Sequence, residues 1–211
     1  MSYTIEVIRK KQHRTSNWSG GTTTELYIYP KDAIYSKRDF NWRLSSAKVE
    51  VEKSTFTLLP GISRLIMIVE GELILEHKGH HNAILKEFQQ DSFSGDWTTK
   101  SFGRVTDFNL MMTEGYKGKL EEISVKALEF KDILLCNNVN DSLRFSQITE
   151  AFYIVKGDLE MDMLTSGKIN LDEGDLVLIT RTEKEIDCEL KIHSSSQQGC
   201  RIIKSSILLR L

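Results

Sequence analysis

Apolar and polar residues alternate with a period of two through most of the chain, which is the signature of half-buried strands rather than helices. The alternation is clear from Tyr3 to Ile8, from Trp42 to Val49 and from Arg104 to Met112. Trp18-Ser19-Gly20-Gly21 reads as a glycine turn opening into a threonine-rich strand that runs to Tyr29. Leu65 to Leu75 reads as two strands meeting at Glu70-Gly71-Glu72, and Asn82 to Phe88 as a strand returning from a hairpin tip at Lys78-Gly79. Lys10 to Ser16 and Phe93 to Trp97 lack the pattern and are expected to be loop and turn. Further strands are expected near Leu120, Phe152, Leu176, Cys188 and Arg201, and a short helix only over residues 141–148. Many short strands at this spacing, with turn signals between them, predict an all-β sandwich or barrel.

The pattern also repeats. Ala151 to Met161 follows the plan of Leu65 to Leu75, with Gly157 where Gly71 stood, an acidic residue after each glycine and a leucine after that. Gly95-Asp96 is answered by Gly174-Asp175 in the same order, which suggests a duplicated β module. The expected boundaries are residues 1–118 and 119–211. With no Pro- or Ser-rich linker between them, the halves are expected to pack closely.

Charge changes the picture by exclusion. Twenty-eight basic residues face 30 acidic ones, so no basic face invites nucleic acid or an anionic membrane. No apolar run approaches a membrane span and no signal-peptide core is present, so a cytoplasmic protein is expected. Cys136, Cys188 and Cys200 stand far apart without metal-ligand pairing, and are expected to be reduced and structural.

Polar residues on alternating strands are the informative ones. Arg43 and Ser45 share a face, as do Asp107 and Asn109, and Arg64 with Ile66, Ile68 and Glu70. If those faces line one cavity, two guanidiniums there would grip a carboxylate or phosphate. The alternative is that they face solvent or form an internal ion pair. His77, His80 and His81 cluster at the expected hairpin tip and read as a solvated turn. Without a His-x-His pair, no metal or other cofactor is expected. Nucleophile elbows, phosphate loops and dinucleotide fingerprints are absent from the sequence.

Trp18 through Glu25, Trp42-Arg43-Leu44-Ser45-Ser46-Ala47, Leu59-Pro60-Gly61 with Arg64, Phe93-x-Gly95-Asp96-Trp97 and Gly103-x-Val105-x-Asp107-Phe108-Asn109 resemble the HutD/Ves family over roughly residues 15 to 115. The resemblance implies a bicupin, two RmlC-like jelly-roll barrels in one chain. It also implies a link to bacterial histidine utilisation through metabolite binding, with no catalytic step assigned. Arg43, Ser45, Arg64, Asp107 and Asn109 fall on the shared pattern, with Trp18 and Glu25 near it. One segment departs: the family's longer Trp-Lys-Asn-Gly-Gly-Gly is shortened here to Trp18-Ser19-Gly20-Gly21.

The expectation is therefore a non-catalytic cytoplasmic bicupin that binds a small anionic metabolite, a carboxylate, through Arg43 and Arg64, with room for a homodimer. Two rivals stand beside it. A cupin enzyme would be metal-dependent or a metal-free isomerase or lyase, the latter using Glu25, Glu70 or Asp107 as a general base, and an interaction protein would have a filled, apolar barrel.

Overall fold

A computed structural model of the chain describes residues 3–135, 145–163, 167–182 and 188–210. In chain order the first strands are β1 (Thr4–Ile8), β2 (Arg14–Trp18), β3 (Gly21–Tyr29), β4 (Trp42–Val49) and β5 (Lys53–Thr55). Then come β6 (Ser63–Glu70), β7 (Leu73–His77), β8 (Asn82–Leu85), β9 (Gln90–Ser94), β10 (Thr99–Phe102) and β11 (Val105–Met112). The remainder holds β12 (Tyr116–Val125), β13 (Phe130–Leu135), β14 (Phe145–Lys156) and β15 (Leu159–Met163). It ends with β16 (Gly167–Leu171), β17 (Leu176–Thr182), β18 (Cys188–Ser194) and β19 (Cys200–Arg210). Apart from two short 3₁₀ turns at Lys10–Gln12 and Tyr35–Lys37, the described elements are strands, as the period of two requires.

The strands form two compact units, His13–Gly118 and Lys119–Leu211 with Met1–Gln12. In the first, a sheet of order β2-β3-β4-β11-β6-β9 faces one of order β5-β10-β7-β8. In the second, β1-β17-β14-β19-β12 faces β13-β18-β15-β16. Each core lies between its two sheets, where apolar residues facing inward from both sheets meet. Ile66, Ile68, Leu73, Leu75, Phe93 and Val105 fill the first core; Phe152, Ile154, Met161, Val177, Ile192 and Ile202 belong to the second.

Several expectations change. β1 pairs with β17 from Thr4↔Thr180 to Ile8↔Leu176, so residues 1–12 join the C-terminal unit and not the N-terminal module. The Lys10–Ser16 loop gives way at Arg14 to strand β2, and the Phe93 turn region begins inside strand β9. The short helix expected over 141–148 lies outside the described residues at 141–144, and Phe145 to Ile148 open β14. Cys136 and the side chain of Cys188 are likewise outside them. Cys200 is a buried free thiol in the second core, and burial, with the charge of Asp158 behind it, pushes it up to about 12.

The repeated hairpins are real. Gly71 (φ 91°) and Gly157 (φ 81°) both take the left-handed conformation that side chains disfavour. A Cβ at either would press on a backbone oxygen, 2.7 Å from that of Arg104 or 2.3 Å from that of Gly199.

Candidate functional site

The site is built by three adjacent strands of the larger N-terminal sheet. The ladder sets Arg43 of β4 and Arg64 of β6 on either side of Met111 of β11, in one cross-strand row. The next row holds Ser45, Asn109 and Ile66, and the next Ala47, Asp107 and Ile68. Alternation then points all of these side chains to the inner face. All but Ile66 and Ile68, which pack in the core, border a cavity of about 620 Å³ within the first unit, which Trp18, Ser19 and Gly20 also line. Trp18 stays 39% exposed. Its ring lies so close to Gly20 that a Cβ there would sit 2.2 Å from it, so the glycine is what admits the indole.

Two bulges decide which acidic residues reach the site. The β3–β4 register slips between Glu25↔Ser45 and Tyr27↔Leu44, inserting Leu26 into β3. Glu25 therefore faces inward and its Oε2 accepts from Arg43 Nε at 2.8 Å. It meets the site through Arg43. On β6, the register moves from Asp107↔Ile68 to Thr106↔Glu70, skipping Val69. That slip turns Glu70 outward and leaves it exposed, so the face expected to carry Arg64, Ile66, Ile68 and Glu70 keeps only the first three.

The two arginines differ in what they already hold. Arg43 is paired with Glu25, donates from Nη1 to Ser45 Oγ at 3.0 Å, and lies 4.3 Å from the centre of the Tyr35 ring. Arg64 donates through Nη2 to Asn109 Oδ1 at 3.2 Å, and its buried Nε has no hydrogen-bond partner. Its guanidinium is flanked by the rings of Phe56 at 4.6 Å and Phe93 at 5.0 Å. Asn109 passes the contact on, donating from Nδ2 to Asp107 Oδ1 at 2.5 Å. Arg64, Asn109 and Asp107 thus form a buried relay.

Burial dominates the electrostatics of this relay. It lowers Arg64 to about 10 even though Tyr35 and Asp107 oppose the shift. It raises Asp107 to about 7, against the pull of Arg64, the Asn109 amide and the Ala47 backbone. Both groups move toward neutrality because their mutual attraction, acting across Asn109, is smaller than the loss of water. The cavity consequently offers a guanidinium with spare donors and a carboxyl that can hold its proton near neutral pH.

The donor set does not fit a metal ion. Two guanidiniums, the Lys53 ammonium, one carboxyl, an amide and hydroxyls line the cavity, with no imidazole among its described lining residues. The histidines lie elsewhere. His77 is 2% exposed, in place of the solvated turn expected, and its Nδ1 is 2.8 Å from Thr99 Oγ1. Burial lowers its pKa, with Asp91 opposing. His80 stacks on Trp97 with ring centres 3.7 Å apart.

The HutD family model matches residues 10–197, well beyond the stretch that carries the resemblance by eye. The chain belongs to the HutD family. Among solved structures, this HutD-family chain is similar to a conserved protein of unknown function from Pseudomonas aeruginosa PAO1, with a TM-score of 0.77 at 19% identity. That match covers 97% of this chain and 98% of the other. HutD from Pseudomonas fluorescens SBW25 matches at TM-score 0.67 and 20% identity, covering 99% and 100%. The bacterial pirin YhhW from Escherichia coli, in complex with nickel(II), matches at 0.64 and 9%, covering 98% and 99%. These likenesses bear on the fold, and the fold is a bicupin: two jelly-roll barrels in one HutD-family chain. No helix among the described residues is long and apolar enough to cross a membrane.

Proposed function

We propose that this HutD-family protein acts in the cytoplasm as a non-catalytic receptor for a small anionic metabolite, held in the N-terminal cavity. The observation that carries the reading is Arg64, a buried guanidinium bordering a cavity with an unsatisfied Nε and a hydrogen bond to an amide in place of a carboxylate. Burying a cation without a paired charge is costly, and an incoming carboxylate would remove that cost through charge-assisted bonds. Arg64 is the principal anchor and Arg43, already engaged by Glu25, a secondary one. Asn109 and Asp107 would read the polar remainder of the ligand. Family membership directs attention to intermediates of histidine breakdown, whose level the protein would sense to moderate that pathway. The shortened Trp18–Gly21 loop lies on the cavity wall, so ligand shape is where this member would differ from its relatives.

A second reading rests on Asp107. A buried carboxyl raised to about 7 suits a general acid or base, which supports a metal-free enzyme at the same cavity. Glu25, engaged by Arg43, and the outward-facing Glu70 are poorly placed for that role. The interaction-protein reading requires a filled barrel, and the cavity beside Arg64 counts against it.

A thermal-shift screen of small mono- and dicarboxylates, with and without divalent metals, tests the receptor. A ligand at about 100 times its Kd stabilises the native state by about 2.7 kcal/mol. Arg64→Ala should abolish the shift in a folded variant, and undiminished affinity there would remove Arg64 from the role. Recovery of the hit chemically unchanged after long incubation separates receptor from enzyme.

A further inference from the structure

A second polar cluster sits in the same unit on other side chains. His77 ends β7, His81 closes the turn before β8, and Asp91 lies in β9. His77 Nε2 is 2.9 Å from Asp91 Oδ2, and His81 Nε2 is 3.0 Å from both oxygens of that carboxylate. The three potential donor atoms all fall within 4.8 Å of one another. Four-coordinate Zn²⁺ with bonds of about 2.0–2.1 Å spaces its ligand atoms roughly 3.3 Å apart. The two imidazole–carboxylate separations of 2.9 and 3.0 Å therefore need to open by only a few tenths of an ångström, with the imidazole nitrogens within 4.8 Å of each other.

The surroundings resemble the support of a metal centre more than that of an ordinary hydrogen-bonded triad. Thr99 Oγ1 engages His77 Nδ1 at 2.8 Å, orienting Nε2 toward the cluster in the way outer partners orient ligating histidines. The turn is pinned by backbone bonds from His77 N to His81 O and from His80 N to His77 O. Trp97 walls one side, its ring 5.6 Å from His77 and 5.7 Å from His81. A cavity of about 520 Å³, bordered by Glu76, His77, Lys78, His81 and Lys100, opens beside the imidazoles and leaves room for water or an anion as remaining ligands.

We propose that His77, His81 and Asp91 bind a divalent first-row transition ion, with two imidazole nitrogens and one carboxylate as protein ligands. Two nitrogen donors select this class over Mg²⁺ and Ca²⁺, which prefer oxygen. The site is independent of the anion cavity and stands or falls without it.

The test is calorimetric titration of Zn²⁺ into the tag-free full chain after chelator treatment, with metal content measured in parallel. One equivalent is expected, with affinity at least ~100-fold lower in His81→Ala, since losing a ligand exceeds the 10–100-fold cost of losing an outer partner. The His81 side chain is 42% exposed, so this variant should fold, and its metal-free melting temperature checks that. Absent stoichiometric binding, or full affinity in His81→Ala, overturns the proposal. A second measurement covers the buried ligands: Co²⁺ should quench tryptophan fluorescence in the native chain and lose that effect in Trp97→Phe, which should still bind Zn²⁺. Quenching that persists in Trp97→Phe places the ion elsewhere and also overturns it.

Discussion

The two barrels share a strand plan and use it in opposite ways. The run β4-β11-β6-β9 of the first corresponds to β12-β19-β14-β17 of the second, and β5-β10-β7-β8 to β13-β18-β15-β16. Counting back from Gly71 and Gly157, the positions of Arg64 and Glu150 coincide. Across the ladder, Asn109 stands opposite Ile66 where Lys204 stands opposite Phe152. A guanidinium and an amide in one barrel are thus matched by a carboxylate and an ammonium in the other. In the second barrel the charges meet: Glu150 accepts from Ser206 Oγ at 2.6 Å, with Lys204 at 3.4 Å and Arg181 at 3.8 Å. In the first, Arg64 meets an amide and borders a cavity. One scaffold can therefore spend the same inward row on cohesion or on an open binding site. The sign and completeness of the pairing make the difference.

That contrast can be broken most forcefully at Glu150. Glu150→Ala removes the buried carboxylate that Lys204 and Arg181 share, and denaturant unfolding should show a loss of about 3–5 kcal/mol. The corresponding change in the first barrel, Arg64→Met, should cost less than ~1 kcal/mol in ligand-free protein or stabilise it, because it removes a desolvated charge. Equal losses at the two positions would erase the distinction.

The next effect is one of pH. Asp107 is raised to about 7 in the fold from an ordinary value of 3.8. Below both values it is protonated folded or unfolded and its contribution is fully present. As pH rises through the window between them, the unfolded chain releases the proton first, so stability falls, by on the order of a few kcal/mol in total. Melting curves from pH 4 to 8 should show this decline, and Asp107→Asn should flatten it. The second barrel has no counterpart, since Ile202 occupies the matching position.

The last effect tests what the barrels have in common. Gly71→Ala and Gly157→Ala each force a side chain into left-handed backbone, costing roughly 1–3 kcal/mol. Gly157→Ala should fall at the upper end, because its Cβ would lie closer to a carbonyl oxygen, 2.3 Å against 2.7 Å. Urea midpoints would rank them.

Much of this was legible in the sequence because β4, β6 and β11 alternate with a period of two. That Arg43 shares a face with Ser45, and Asp107 with Asn109, follows from counting by twos; which face turns inward does not, because the opposite row of Trp42, Leu44, Phe108 and Leu110 is buried as well. Three features were hidden for physical reasons. β9 reads Gln90-Asp91-Ser92-Phe93-Ser94, with one apolar residue and no alternation to mark it, so the bond between Asp91 and His77 had no visible precursor. The extra residues at Leu26 and Val69 reverse parity within a strand, which local pattern does not announce. β1 alternates well, yet alternation states that a strand exists and not which sheet receives it.

Phe93 lies opposite Arg64 in the ladder, and its ring serves two neighbours at once. The guanidinium carbon of Arg64 is 5.0 Å from its centre, and the ring of His77 is 4.7 Å away. The position answers to two chemistries, a cation that prefers an electron-rich face and an imidazole that packs against an aromatic surface. An aliphatic side chain there would keep the volume and lose both partnerships, so the choice of residue at 93 is narrower than core packing alone would make it.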